Sequence, residues 1–197
     1  MEEKQIINTA RLTGVWYLLL AISGILGMMI FHPQIFISGN PEKTLNNLIS
    51  LESTSRIRLL VELLIIVSQA LAAVWFYKLF CHINKSAAAM VGIWGTVNSV
   101  VILVSAIAMG SAINIAHSTL PALQEKIIMI QLLEVIISNA WSIGGLFFGL
   151  WLIPIGYIVV SSGRMPIWLG RTLILGGIGY ILQTFINCAG VKSSYID

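Results

Sequence analysis

Five stretches of this chain are long enough, and poor enough in charge, to be read as membrane crossings. A helix needs about 20 mostly apolar residues to span a hydrocarbon core of roughly 30 Å. Leu12 to Phe31 carries no charge, Leu59 to Phe80 is broken only by Glu62 before Lys78, and Ser86 to Gln124 holds no Asp, Glu, Lys or Arg. Two more stretches follow, giving spans expected at about 12–31, 59–80, 87–115, 138–160 and 167–187. The segments between them are too short for a soluble domain. The expected fold is therefore all-α, a polytopic integral membrane protein with one transmembrane domain over residues 1–197.

Composition agrees. Hydrophobic residues make up 57% of the chain and charged residues 10%, against roughly 25% charged in an ordinary soluble domain. Too little polar side chain is present to cover a globule in water. The apolar residues are also too abundant and evenly spread for disorder. The net charge of +3 comes from scattered residues rather than runs, which excludes a nucleic-acid footprint. Cys81 and Cys188 have no metal-binding spacing. The apolar run after the first dozen residues exceeds a signal core and lacks a small-residue cleavage site, so a retained first helix is expected. With the N-terminus inside, lysines and arginines divide six inside (Lys4, Arg11, Lys78, Lys85, Arg164, Arg171) to five outside (Lys43, Arg56, Arg58, Lys126, Lys192). The inside set sits at tight helix ends, which favours that orientation.

Two short amphipathic helices are expected outside the spans. Asn40-Pro41-Glu42 combines a capping side chain, a first-turn proline and a first-turn acid, and Leu45, Leu48 and Ile49 then form an apolar stripe. The second begins near Pro121 and runs through Glu125 to Ile137. It either bends at Ser138-Asn139 or continues into the fourth span.

Helical spacing assigns each span a small and polar face. The fourth carries Gln131, Glu134, Ser138, Ser142, Gly145, Gly149 and Gly156. The fifth carries Thr172, Gly176, Gly179, Gln183 and Asn187, and the first Gly14, Tyr17, Ala21 and Gly24. Ala106, Gly110, Asn114 and His117 mark the third; Glu62, Gln69, Ala72 and Ala73 mark the second. Gly145 and Gly149, and Gly176 and Gly179, are the expected helix-packing positions, because small residues let backbones approach where lipid supplies no hydrophobic drive. Alternating span direction places Glu62, Gln69, Asn114, His117, Glu134, Asn139, Trp141, Gln183 and Asn187 as candidate lining of a polar vestibule on the extracytoplasmic side, with Trp141 as its wall.

Glu62 is the sharpest candidate, since a carboxylate inside a bilayer is costly and marks a functional site by default. Arg58 one turn away, Asn114 or His117 are the expected supports, and a structural ion pair is the alternative role. His32 and His117 have no third ligand at a recognisable spacing, so no metal or other cofactor is expected. No nucleophile elbow, phosphate loop or paired catalytic carboxylates occur, and Gly176-Gly177-Ile178-Gly179 lies in a span rather than after a strand.

The run FFGLWLIPIGYIVVSSGRMPIWLG, with Ser162, Gly163, Pro166, Leu169 and Gly170, resembles the signature of a bacterial multi-pass membrane family designated domain of unknown function 4386. Arg11, Gly14, Tyr17 and Gly24, together with Tyr77, Asn84 and Lys85, extend the likeness over most of the chain. The resemblance implies a bacterial plasma-membrane protein and leaves its biochemistry open. Members often carry an arginine and a glutamate in the third helix, where this chain has Gly95, Thr96 and Asn98.

The first functional expectation is a non-enzymatic binding or accessory module, taking a small molecule, lipid or partner helix in the outer vestibule, with homo-oligomers allowed. The alternative is a small proton-coupled secondary transporter or channel subunit that uses Glu62. An intramembrane enzyme ranks third.

Overall fold

Helix formation satisfies the backbone donors and acceptors of its interior within its own segment, which is the requirement hydrocarbon imposes on a crossing chain. The computed structural model describes residues 3–190, and these form helices and short connections with no strand. The helices are α1 (Glu3–Gly24), continued by a π-helical segment (Ile25–Phe31), α2 (His32–Ile35), α3 (Pro41–Ser50), α4 (Glu52–Phe80), α5 (Lys85–His117), α6 (Leu123–Ser162) and α7 (Ile167–Cys188). Five helical stretches are long and apolar enough to cross a membrane: Lys4–Ile35, Glu52–Phe80, Lys85–His117, Leu123–Ser162 and Ile167–Cys188.

Only one of the two expected short amphipathic helices is separate. Asn40 caps α3, its side-chain oxygen accepting from the Lys43 N–H at 3.0 Å, and Pro41 and Glu42 occupy the first turn. Its buried stripe is Thr44, Leu45 and Leu48 rather than one including Ile49, which is exposed. Thr44 is buried because its hydroxyl accepts from the Ile37 N–H. Asn47 donates to the carbonyls of Gln34 and Ile35, which the end of α2 leaves open.

The second expected helix is instead the first part of α6, which is continuous for 40 residues. Ser138 and Asn139 point outward and do not compete for its backbone. Glu125 accepts from the Ala122 N–H at 3.0 Å, starting the helix there. Forty helical residues correspond to a rise of about 60 Å along the helix path, about twice the hydrocarbon thickness.

The chain divides into two compact units. One comprises the chain up to Val15, Ala70–Asn98 and the chain from Ser142 onward; the other comprises Trp16–Gln69 and Ser99–Trp141.

In the first unit, α6 and α7 form an antiparallel hairpin across Gly163, whose φ of +62° is a conformation glycine adopts without steric cost. A Cβ on Gly149 would lie 2.5 Å from the Gly177 carbonyl oxygen, and one on Gly177 would lie 2.8 Å from that of Gly149. Gly156 and Gly170 repeat the arrangement at 2.6 and 2.7 Å. The backbones therefore touch at two glycine pairs, two turns apart. Gly145 also faces α7, at Thr184, which donates to the Ser142 carbonyl. The expected positions Gly176 and Gly179 are corrected to Gly170 and Gly177: nothing lies within 4 Å of a Cβ at either expected position. Trp151, fully buried, fills the space that Gly95 and Ala73 leave open and packs edge-on to Phe76.

In the second unit, Ile35, Phe36, Leu45 and Leu48 pack with Ala108, Met109, Ala112, Ile113, Ile127 and Ile130 into one apolar core. The first span turns Leu20, Ser23 and Gly27 inward here, and Thr9 and Thr13 are its buried residues in the other unit. The expected stripe is displaced accordingly, with Gly14 and Ala21 exposed. The hydroxyls of Thr13 and Ser23 donate to the carbonyls of Thr9 and Leu19, so they enter an apolar face already satisfied.

A Gly177→Ala substitution is expected to destabilise by about 1–3 kcal/mol through overpacking. Gly176→Ala is expected to be neutral, or to stabilise by up to about 1 kcal/mol through helix propensity. Denaturant titration of both variants in the same detergent checks the pair. Equal losses would contradict the assigned face.

Candidate functional site

The second unit carries the buried polar residues that matter chemically. On α4, Ser55, Arg58, Glu62, Ile65 and Gln69 recur at three- and four-residue steps and are all buried, so this face of the helix points inward. Arg58 is 1% exposed and Glu62 2%. The i, i+4 spacing brings their side chains together: Arg58 Nη1 donates to Glu62 Oε2 at 2.5 Å. The other carboxylate oxygen, Oε1, accepts from the Ser105 hydroxyl at 2.6 Å and from Trp141 Nε1–H at 3.2 Å. Trp141 Nε1 also lies 3.0 Å from Ser105 Oγ, so its N–H is shared between two acceptors. Helices α4, α5 and α6 thus each supply a member of one hydrogen-bonded cluster.

The carboxylate is saturated. Burying an ion pair costs several kcal/mol per ion, and the attraction offsets that only when remaining lone pairs are also satisfied. Ser105 and Trp141 do this for Glu62. A carboxylate held by three donors is fixed in orientation, which suits an anchor.

The arginine is the opposite case. Its Nη1 is used, but Nε and Nη2 are buried with no hydrogen-bond partner among the described residues. These two N–H groups form the side edge of the guanidinium, the fork that takes carboxylate or phosphate oxygens in pairs. The Phe36 ring lies under the guanidinium, with its centroid 5.8 Å from Cζ. His32 stacks on that same ring at 4.9 Å, and its Nδ1 is also buried and unpartnered among the described residues. The π-helical segment delivers His32 here, its N–H donating to the Gly27 carbonyl five residues back. Ser55 Oγ, and both polar atoms of the Gln69 amide, share that buried and unpartnered state.

The structure buries Glu62 and Gln69 on one face of α4, brings the partly buried Trp141 onto Glu62, and disperses the other expected lining. Asn114, Asn139, Gln183 and Asn187 are exposed, and Glu134 is half-buried. His117 is exposed, with Nε2 3.9 Å from Glu52 Oε2, while Arg56 pairs with the other oxygen, Oε1, at 2.7 Å. It therefore belongs to a surface cluster and does not support Glu62. The reason is rotational: α5 turns Ser105, Met109, Ala112 and Ala116 inward, which leaves Asn114 and His117 facing out. Ser105 was not among the expected site residues, although it lies seven residues before Ala112 on the buried face. Among the described residues no three His, Cys, Asp or Glu side chains gather as a metal site.

Residues 12–195 match the model of a family described as "Domain of unknown function (DUF4386)". The chain belongs to this family. DUF4386 carries no assigned activity in that description. A similar protein, described as uncharacterized, occurs in Archaeoglobus fulgidus and is 38% identical over 48 residues. The match covers 24% of this chain and 30% of the relative, so the chain aligns with less than a third of that protein's length. No solved structure matches this DUF4386 chain.

Removing one partner of the pair strands a buried charge. Glu62→Leu and Arg58→Met are each expected to cost about 3–5 kcal/mol, while the double variant recovers most of that loss. Ser105→Ala alone is expected to cost about 1–3 kcal/mol. A double-mutant cycle read by denaturant unfolding measures the coupling, and strict additivity would contradict a buried pair.

Proposed function

We propose that the protein is a non-enzymatic binding module of the membrane, which takes a small polar guest on the buried face of α4. The observation that supports this reading is the open edge of Arg58. A buried donor without a partner costs several kcal/mol in an apolar surrounding, and here two lie on one charged group. Ser55 and Gln69 add unpartnered atoms on the same helix face. Glu62 has a changed role in this reading. Rather than capture the guest, it clamps Arg58 by one nitrogen and leaves the fork free, while Ser105 and Trp141 hold the clamp.

The bilayer is the solvent and first partner of the five spans. The plasma membrane with a cytoplasmic N-terminus is the location we assign, and assembly with further copies is compatible with it. The proton-coupled transporter reading has less support, because the carboxylate it would use is saturated by three donors.

Native mass spectrometry of the gently solubilised protein, wild type beside Arg58→Lys and Gln69→Leu, tests the reading. A discrete retained mass is expected in the wild type, reduced about tenfold or more in Arg58→Lys, as loss of a bidentate charged hydrogen bond implies. The subunit count is read in the same spectra. A clean, unliganded protein in all three forms would sink the reading.

A further inference from the structure

The chemistry of the guest follows from the shape and depth of the open edge. Nε–H and Nη2–H of a guanidinium are parallel and coplanar, so they fit two oxygens of one carboxylate or phosphate group, where a carbonyl or hydroxyl offers one. The neighbouring charges limit the guest further. Arg58 and Glu62 cancel, so an added dianion would leave two uncompensated charges in a buried place, and a monoanion one. Glu62 already spreads its charge over the Ser105 and Trp141 donors, and the Phe36 ring face carries no hydrogen-bonding group. Ser55, one turn before Arg58, has a buried hydroxyl free to donate to the same guest, and His32 lies against the shared Phe36 ring.

Depth decides where such a group comes from. α4 has 29 residues and is about 43 Å long, so a centred crossing leaves about 6–7 Å beyond the hydrocarbon at each end. Arg58 is the seventh residue of α4, about 9 Å along its axis. It therefore lies close to the level where hydrocarbon meets phosphate.

We propose, building on the binding reading above, that the Nε/Nη2 edge of Arg58, with Ser55, holds a monoanionic phosphate group: the phosphodiester of a lipid headgroup, or free dihydrogen phosphate. Glu62 positions the arginine for it without touching it.

The test uses full-length protein, delipidated in mild detergent and titrated with short-chain phosphatidylglycerol, diacylglycerol of the same tails, or inorganic phosphate. Adducts are read by native mass spectrometry. Saturable uptake of phosphatidylglycerol but not of diacylglycerol supports the lipid source; saturable uptake of inorganic phosphate supports the free one. In either case Arg58→Lys, which keeps the charge and loses the fork, is expected to weaken uptake about tenfold. Ser55→Ala is expected to weaken it about threefold, and gives the answer if Arg58→Lys fails to fold. Equal uptake of phosphatidylglycerol and diacylglycerol without phosphate binding, or uptake indifferent to both variants, overturns the proposal. If neither anion binds while the wild type retains a neutral molecule, the oxyanion inference fails and the binding-module reading stands. If nothing is retained and nothing binds, both fail.

Discussion

A charge pair inside an apolar helix packing is the constraint on which the second unit depends. Arg58 and Glu62 sit four residues apart on the inward face of α4, and neither can be exposed without turning Ser55, Ile65 and Gln69 outward as well. Because both ions are out of water, their geometry has to be completed from neighbouring helices. Ser105 from α5 and Trp141 from α6 supply the donors, and Phe36, after α2, supplies the ring beneath the guanidinium. The end of α2, its carbonyls bonded by Asn47 of α3, holds that ring in place. The cluster therefore fixes helix register as well as charge, in the way a single buried polar residue fixes the register of a coiled coil.

The first unit is held together without charges. Gly149 against Gly177 and Gly156 against Gly170 bring two backbones to contact, and the surrounding Ile153, Ile174 and Ile181 fill the flanks. This is association by close packing, the means available where lipid is as apolar as leucine. Gly95 serves a related purpose, because the space of its missing side chain is the seat of Trp151.

What could be read in the sequence divides along a physical line. Hydropathy is local along the chain, so five spans, the Asn40-Pro41 cap and the Gly163 turn were all legible. The Arg58–Glu62 pairing was legible too, because i, i+4 geometry is internal to one helix. Which face of a span turns inward was harder. In lipid both faces are apolar, so Gly176 and Gly179 form as regular a stripe as Gly170 and Gly177, and only the antiparallel register of α6 and α7 selects between them. The same holds for Ser105 and Trp141, whose meeting depends on the rotation of two further helices. Asn114 and His117 show the cost of assuming that polar residues in a span face the interior. Near a helix end the outward face is the cheaper one, and His117 finds Glu52 there.

Glu62 is fully engaged, while the Nε/Nη2 edge of Arg58 has no partner among the described residues. A high-resolution structure of the protein in a native-lipid nanodisc tests this most directly, at the guanidinium itself. Non-protein density contacting both Nε and Nη2 of Arg58 is expected, with Glu62 still bonded to Ser105 and Trp141. A guanidinium edge closed by a side chain or carbonyl of the protein, or bridged only by ordered water, would contradict it.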